Sequence, residues 1–246
     1  MTRIKFLNIE VDNLTMQESL DSIDSLIKRR QPSYVVTPNV DHIVKLEKDL
    51  EFREVYKNAD LILTDGMPLI WISKLLKNPI KEKVSGSDLF PKVCELAAEK
   101  SYSIFLLGAA EGVAEKAAKN LSNKYNKLNI SGIYSPSYGF ENNEEEINKI
   151  ISIINTVKPD ILAVGVGAPK QEKFIYKYKE QLNVPISLAI GASIDFEAGN
   201  IKRSPRWMQK VGLEWFYRFI KEPKRMFKRY FIDDLKIFEI YFKYRK

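Results

Sequence analysis

Short apolar runs alternate with longer stretches of helical periodicity over the first 200 residues of the chain. The runs are rich in Val, Ile and Leu, and they read 34-YVVT-37, 61-LILT-64, 103-SIFLLG-108, 161-ILAVGVG-167 and 186-ISLAIGA-192. Helical spacing covers residues 15–29, 43–59, 112–125 and 144–157. Nearly continuous apolar strands separated by helices are typical of a parallel sheet covered on both faces. We therefore predict an α/β fold with a Rossmann-like, mostly parallel sheet flanked by helices.

The pattern changes after residue 200. Residues 201–246 carry 14 Lys and Arg against 5 Asp and Glu, whereas residues 1–200 carry 25 against 27. Twelve of the 28 aromatic residues also lie in the last segment. Pro205 suits a first helical position, and Pro223 should end one helix and begin another. We predict an α/β domain over residues 1–200 and a helical appendage over 201–246.

The appendage interleaves aromatic side chains with basic ones. A basic, aromatic, amphipathic helix pair is typical of proteins that bind an anionic membrane surface. Each basic residue near such a surface contributes about 1 kcal/mol, and six lie in the helix pair: Arg218, Lys221, Lys224, Arg225, Lys228 and Arg229. Nucleic acid would attract the same charge, and packing on the core is an alternative role for some of the aromatic rings.

Composition excludes several classes of protein. With one cysteine, Cys94, and one histidine, His42, the chain has no disulfide framework and no metal centre built on cysteines or several histidines. Both residues are expected to be structural. The N-terminus lacks a signal-peptide pattern, and no apolar run approaches the roughly 18 residues of a spanning helix. We therefore predict a cytoplasmic protein attached peripherally to the inner face of the cell membrane.

Candidate chemistry lies where the predicted strands end, because ligands of parallel α/β sheets bind outside the carboxyl ends of the strands. The polar residues and glycines at these ends are Thr37, Asn39, Asp65, Gly66, Gly108, Gly165, Gly167, Lys170, Gln171 and Asp195. Asp65 is placed to act as a general base, or to cap the following helix. Gly108 fits a phosphate site and a tight turn equally well. Lys83 is a further candidate partner for a phosphate.

The run 165-GVGAPK-170 resembles a dinucleotide fingerprint that lacks its third glycine, since Lys170 stands in that position. A nicotinamide-dependent oxidoreductase is disfavoured for this reason. We expect Gly165 and Gly167 to let the backbone approach a ligand, with Lys170 and Gln171 supplying a cation and an amide. A strand, turn and helix with a solvated first turn is the alternative.

Seven ordered strings resemble those of the WecG/TagA/CpsF glycosyltransferases over essentially the whole chain. They are 37-TPNVDH-42, 59-ADLILTDGMPLIW-71, 84-VSGSDL-89, 105-FLLG-108, 159-PDILAVGVGAPKQEKF-174, 190-IGASIDFEAG-199 and 203-RSPRWMQKVGLEWFYRFIKEPKRMFKRY-230. The resemblance implies a membrane-associated, inverting enzyme that uses a UDP-sugar donor. In the TagA branch, N-acetylmannosamine passes to the 4-hydroxyl of N-acetylglucosamine on undecaprenyl diphosphate, which commits the lipid to the wall teichoic acid linkage unit.

The resemblance also implies roles for individual residues. Asp65 matches the base, with Thr37 and Asn39 in the same pocket, and Gln171 and Asp195 match residues of the sugar-nucleotide pocket. The tail positions that would meet the lipid diphosphate are Arg218, Arg225 and Lys228. The family often has Arg where Lys83 and Lys228 stand, and lysine lacks the bidentate fork of arginine. Because no Asp-x-Asp pair follows a strand, we expect no metal and no other cofactor.

Alternatives remain open at this stage. The donor of the same reaction class could be UDP-glucose or UDP-N-acetylmannosaminuronic acid, in capsule or exopolysaccharide synthesis. A non-enzymatic membrane or nucleic-acid adaptor built on the tail is a different class, although we expect no nucleic-acid partner. An aromatic tail away from the membrane would favour a homo-oligomer, a dimer or a trimer.

Overall fold

The computed structural model describes residues 3–245, except for the side chains of Arg206, Lys210 and Arg225. Two strands, β1 (Arg3–Phe6) and β2 (Ile9–Asp12), form an antiparallel hairpin. The other six strands are β3 (Ser33–Val36), β4 (Leu61–Ile62), β5 (Ser103–Gly108), β6 (Asn129–Tyr134), β7 (Ile161–Gly165) and β8 (Ile186–Ala189). They form one parallel sheet in the order β4-β3-β8-β7-β5-β6. The predicted fold class is confirmed.

Thirteen α-helices lie within the described residues. Those before residue 200 are α1 (Met16–Arg29), α2 (Val40–Leu46), α3 (Leu50–Lys57), α4 (Met67–Leu75), α5 (Gly86–Lys100), α6 (Val113–Lys124), α7 (Glu144–Val157), α8 (Lys170–Leu182) and α9 (Ser193–Ala198). Those after it are α10 (Arg206–Lys210), α11 (Glu214–Lys221), α12 (Pro223–Lys228) and α13 (Ile237–Tyr244). Short 3-10 and π turns cover Phe140–Asn142 and 229–236.

Local signals explain most helix boundaries. A capping box formed by Thr15 and Glu18 begins α1. The helix predicted over 43–59 is wrong in one respect, because it is divided into α2 and α3. Asp49 caps α3 by accepting a hydrogen bond from the Phe52 amide at 2.9 Å, and Arg53 donates to the carbonyl of Glu47 near the end of α2. A side-chain cap thus stopped a helix that periodicity alone would continue.

The hairpin and β6 were missed by the sequence prediction. β6 is an edge strand and is only half-buried, so its apolar pattern is weak. The hairpin is fixed by Asp12, which pairs with Arg3 at 3.2 Å and accepts a hydrogen bond from the Ile62 amide at 2.8 Å. These contacts are long-range in sequence, and periodicity does not reveal them.

The sheet separates two apolar layers. One contains buried residues of α2, α3, α7 and α8 together with the hairpin, and the other contains those of α1, α5, α6 and α9. α4, which directly follows β4, lies in the same layer as α2 and α3, and the chain then crosses to α5 in the other layer. Ligands of parallel sheets bind outside the carboxyl ends of the strands. A crevice lined by Asn39 and Asp65 lies there, beyond the ends of β3 and β4.

The tail covers this crevice. Ile237 and Ile240 of α13 join the core layer that contains α2, and Lys243 pairs with Glu47 of the catalytic domain at 2.6 Å. Pro223 begins α12, as predicted, whereas Pro205 directly precedes α10 and is not its first residue. None of the helices described over residues 3–245 is long and apolar enough to cross a bilayer. The domain boundary at residue 200 stays a prediction.

Candidate active site

A cavity of about 400 Å³ lies between the carboxyl ends of β3 and β4 and the tail. Residues from three parts of the chain share its wall: the two strand ends, the segment before α5, and the tail from α10 to α13. The polar and aromatic residues that line it are Asn39, Asp65, Lys83, Ser87, Gln209, Glu214, Trp215, Arg218, Arg229, Tyr230, Phe231, Asp234 and Phe238. Four of the residues predicted from sequence, other than glycines, are thus brought together: Asn39, Asp65, Lys83 and Arg218.

Asp65 is held at the end of β4 by its backbone amide, which donates to the carbonyl of Pro38 at 2.8 Å. The helix that follows is capped by Gly66, at φ +99°, and receives no side-chain capping bond. The capping role considered for Asp65 is therefore wrong. Its carboxylate lines the cavity and is available for chemistry.

The environment of Asp65 makes it a stronger base than an exposed aspartate. Burial raises the pKa of Asp65 to about 6, against the opposing effect of Lys83 and Arg218 and with help from Glu214 and Asp88. The pKa of an exposed aspartate is about 3.9. A carboxylate that titrates near 6 is still ionised at neutral pH, and it accepts a proton more readily than one of lower pKa.

A charged cluster connects this cavity wall to the tail. Lys83 contacts Asp88 at 2.6 Å, and Arg203 contacts the other oxygen of Asp88 at 2.9 Å. Glu214 then bridges Arg203 at 3.8 Å and Arg218 at 3.2 Å. Burial alone would raise the pKa of Asp88, but Lys83, Ser85 and Arg203 together lower it to about 2. The cluster thus fixes two cations, Lys83 and Arg218, on the wall that carries Asp65.

Aromatic contacts support the same cluster. The guanidinium groups of Arg203 and Arg218 lie 5.8 and 5.6 Å from the ring centroid of Phe196, within cation–π range. Trp215 meets Tyr230 edge to face with a centroid distance of 5.8 Å. These contacts hold α11 against both α9 and the turn after α12, which keeps the tail over the cavity.

The family model for the glycosyl transferase WecG/TagA/CpsF family matches residues 4–246. The chain belongs to this glycosyltransferase family. A relative from Bacillus subtilis (strain 168) is 31% identical over 219 residues, which are 89% of this chain and 83% of the relative. One from Staphylococcus aureus (strain MW2) is 28% identical over 226 residues, 91% of this chain and 87% of the relative. Both relatives are named N-acetylglucosaminyldiphosphoundecaprenol N-acetyl-beta-D-mannosaminyltransferase.

Asn39 connects the glycosyltransferase core to the tail. It caps α2 by accepting from the His42 amide at 3.3 Å, and the same oxygen accepts from Arg229 at 3.4 Å. Thr37 is buried beside Gly86 and does not line the cavity. His42 is buried and its Nδ1 lies 2.9 Å from the Tyr56 hydroxyl, so its role is structural, as predicted.

The glycines predicted to admit a ligand have different roles. A Cβ on Gly108 would lie 2.5 Å from the carbonyl oxygen of Gly165, and one on Gly165 would lie 2.8 Å from that of Gly191. Close packing of neighbouring strand ends therefore requires both of these glycines. A phosphate site at Gly108 stays a prediction. Gly167, at φ +86°, faces open space and could admit a ligand.

Gln171 is a structural clamp. Its side-chain oxygen accepts from the amides of Gly167 at 3.2 Å and Gly191 at 3.1 Å, which ties the loops after β7 and β8 together. Its amide nitrogen donates to Glu172 at 2.8 Å. Both side chains are buried, and burial raises the pKa of Glu172 to about 7. Gln171 thus fixes the positions of the loops that follow β7 and β8.

Three other predicted residues lie outside the cavity wall. Lys170 forms an ion pair with Glu141 and lies 4.8 Å from the ring centroid of Tyr138. Asp195 is half-buried on α9, where burial raises its pKa, and Lys228 is exposed. The side chain of Arg225 lies outside the described part of the structure.

The structure adds Arg229 and Asp234 to the candidate residues. Arg229 lies 3.9 Å from Asp41 and 4.0 Å from Asp234, and burial raises the pKa of Asp234 to about 6. In the sequence Arg229 was only one of several tail cations, and the resemblance pointed to its neighbour Lys228 instead. Over residues 3–245, no group of three or more His, Cys, Asp and Glu side chains is arranged to hold a metal ion.

Proposed function

We propose that this enzyme transfers N-acetylmannosamine from UDP-N-acetylmannosamine to the 4-hydroxyl of N-acetylglucosamine on undecaprenyl diphosphate. The product is the linkage unit of wall teichoic acid. The names of the relatives support the acceptor and the transferred sugar. The observation that carries the proposal is Asp65, a carboxylate of raised pKa facing a cavity that the basic tail closes.

Asp65 acts as the general base. It removes the proton of the acceptor hydroxyl while that oxygen attacks the anomeric carbon of the donor sugar from the face opposite UDP. The new glycosidic bond forms as the bond to the diphosphate oxygen breaks, so the configuration at the anomeric carbon inverts. Burial of Asp65 serves this step because it raises proton affinity and leaves the group ionised at neutral pH.

The departing UDP gains negative charge that fixed cations can stabilise. Lys83, Arg218 and Arg229 line the cavity, and cations held in place lower the barrier without reorganisation during the reaction. The reaction proceeds without a metal or another cofactor in this proposal. Lys83 and Arg218 are already oriented by Asp88 and Glu214, respectively.

The tail has two roles in the proposal. Its helices bind the anionic inner surface of the cell membrane, where the lipid-linked acceptor resides, and they complete the wall of the active site. α11 exposes apolar side chains, among them Phe216 and Ile220, while its Arg218 faces the cavity. One helix thus combines membrane contact with substrate contact.

The test is UDP release with an undecaprenyl-diphosphate-N-acetylglucosamine acceptor, comparing UDP-N-acetylmannosamine with UDP-glucose and UDP-N-acetylglucosamine. We expect turnover with the mannosamine donor, lost by about 100-fold or more in Asp65→Asn. Asp21→Asn, on the exposed face of α1, is the matched control and should retain full activity. Turnover of UDP-glucose alone would rule out UDP-N-acetylmannosamine as the donor. Full activity of Asp65→Asn would rule out Asp65 as the general base.

A chain ending after residue 200 tests the role of the tail. It lacks Arg218 and Arg229, so it should turn over even a water-soluble acceptor far more slowly than the full chain. Equal rates with the soluble acceptor would show that the tail only anchors the enzyme. Addition of EDTA should leave the rate of the full chain unchanged.

A further inference from the structure

Two short helices expose large apolar side chains outside the membrane-binding segments already described. On α4, Trp71 is 45% exposed and Leu75 is 66% exposed. On α10 and its C-cap, Trp207 is 61% exposed and Val211 is 52% exposed. Each pair is four residues apart, so its two members lie one above the other on the same face of their helix.

The two helices meet at Gly212. A Cβ on Gly212 would lie 2.9 Å from Cζ2 of Trp71 and 2.9 Å from Cβ of Met67, so the backbone after α10 rests directly on α4. Val211 directly precedes Gly212 in the chain. We call the surface formed by Trp71, Leu75, Trp207 and Val211 the α4–α10 face.

The two chain segments that carry this face are basic. Residues 66–81 contain Lys74, Lys77 and Lys81 and no acidic residue. Residues 198–213, of the same length, contain Lys202, Arg203, Arg206 and Lys210 and no acidic residue. The structure describes the side chains of five of these seven cations, and two of the five form ion pairs, Lys81 with Glu18 and Arg203 with Asp88. An apolar surface bordered by cations matches an anionic bilayer, whose headgroups are negative and whose interior is apolar.

We propose that the α4–α10 face binds the surface of an anionic lipid bilayer, as a contact separate from that of α11–α13. Tryptophan is enriched at the membrane–water interface, where its ring is buried among headgroups and acyl chains. The lysines after Trp71 lie at the border of the face, where they meet lipid phosphates. The catalytic core, and not the tail alone, then contacts the membrane.

This contact would orient the active site. α4 begins at Met67, two residues after Asp65, and rises by roughly 1.5 Å per residue. Trp71 is therefore only about 6 Å along the helix axis from its start. A bilayer that holds Trp71 and Leu75 fixes the height of Asp65 above the headgroups, where the diphosphate of a lipid-linked acceptor lies. This consequence rests on the proposed function, whereas membrane binding by the face does not.

The experiment is co-sedimentation of the full chain with phosphatidylglycerol-containing vesicles and with neutral phosphatidylcholine vesicles. Trp71→Ala/Leu75→Ala should bind the anionic vesicles about tenfold more weakly, because two interfacial apolar side chains are lost. Leu50→Ala is the matched control, since Leu50 is 71% exposed on α3 and should have no effect. Lys74→Glu/Lys77→Glu should weaken binding to anionic vesicles and leave binding to neutral ones unchanged.

Activity provides the second readout. Trp71→Ala/Leu75→Ala should raise the KM for a lipid-linked acceptor in vesicles while turnover of a short-chain, water-soluble acceptor stays the same. Unchanged vesicle binding in this variant would overturn the inference. A changed sedimentation coefficient in the absence of vesicles, with vesicle binding unchanged, would instead assign the face to contact between two copies of the chain. If neither acceptor is turned over by the native chain, the proposed function fails, and the sedimentation result still decides the inference.

Discussion

Replacing Asp65 by Asn should make the protein more stable at neutral pH while abolishing its activity. Asparagine has nearly the same shape and carries no charge, so the variant removes the cost of burying a carboxylate. Burial raises the pKa of Asp65 from its usual 3.8 to about 6. One pKa unit corresponds to about 1.4 kcal/mol, which gives an upper value of about 3 kcal/mol in the free energy of unfolding at pH 8. Water entering the cavity reduces this, and we expect about 1–3 kcal/mol.

The sign of the pH dependence follows from proton binding. Between about pH 4 and pH 6 the folded state holds a proton on Asp65 that the unfolded state has released, so the native protein loses stability as the pH rises. The advantage of Asp65→Asn should therefore be largest above pH 6 and shrink on acidification. From pH 8 to pH 4.5 it should fall by about two thirds, to about 1 kcal/mol if the full upper value holds.

Equilibrium urea denaturation at the two pH values measures this effect. Asp88→Asn is the control of opposite sign. The pKa of Asp88 is lowered to about 2, so this variant should be less stable than the native protein at pH 8. Its penalty should be nearly the same at pH 4.5, because this stabilisation is lost only as the pH falls from about 4 to about 2. Asp21→Asn on the surface should change little at either pH. The reasoning is refuted if Asp65→Asn is no more stable than the native protein at pH 8, or if its advantage does not change with pH.

Three further predictions concern the surroundings of this carboxylate. In a pH–rate profile, the rate of the native enzyme should rise near pH 6 as Asp65 ionises. Glu214→Gln should move this rise to lower pH, because it removes a negative charge near Asp65. Gly108→Ala should lower the free energy of unfolding by about 2 kcal/mol or more, since its Cβ would clash with a backbone carbonyl. Gly167→Ala, whose Cβ would meet nothing within 4 Å, should lower the free energy of unfolding by less. Equal losses in urea denaturation would contradict the packing role of Gly108. Gln171→Leu should reduce both stability and kcat by leaving two loop amides without an acceptor, and a variant that changed KM alone would indicate direct contact with substrate instead.

The sequence predicted the strands and helices of the α/β domain better than the contacts within the candidate site. β5 and α7 were predicted with the bounds that the structure has, since each is a strong local pattern bounded by turn or cap residues. The convergence of Asn39 and Asp65 on one rim followed from the parallel sheet, because parallel strands present their carboxyl ends at the same edge. Gln171 was predicted at a strand end as a residue of the sugar-nucleotide pocket, and the structure shows its side chain bonded to the two loops after β7 and β8. Whether an amide points outward or joins two loops depends on its neighbours in space.

What the sequence determined by itself was the alternation of apolar strands and helices, the basic and aromatic character of the tail, and the family. These depend on periodicity, composition and ordered strings, all of which are local or additive along the chain. The tertiary structure alone decided that the tail closes the cavity, that Arg229 rather than Lys228 faces it, and that Gly108 and Gly165 serve packing. The physical reason is that burial, and with it the raised pKa of Asp65, arises from contacts between residues as far apart as 65 and 218, and no local pattern encodes such contacts.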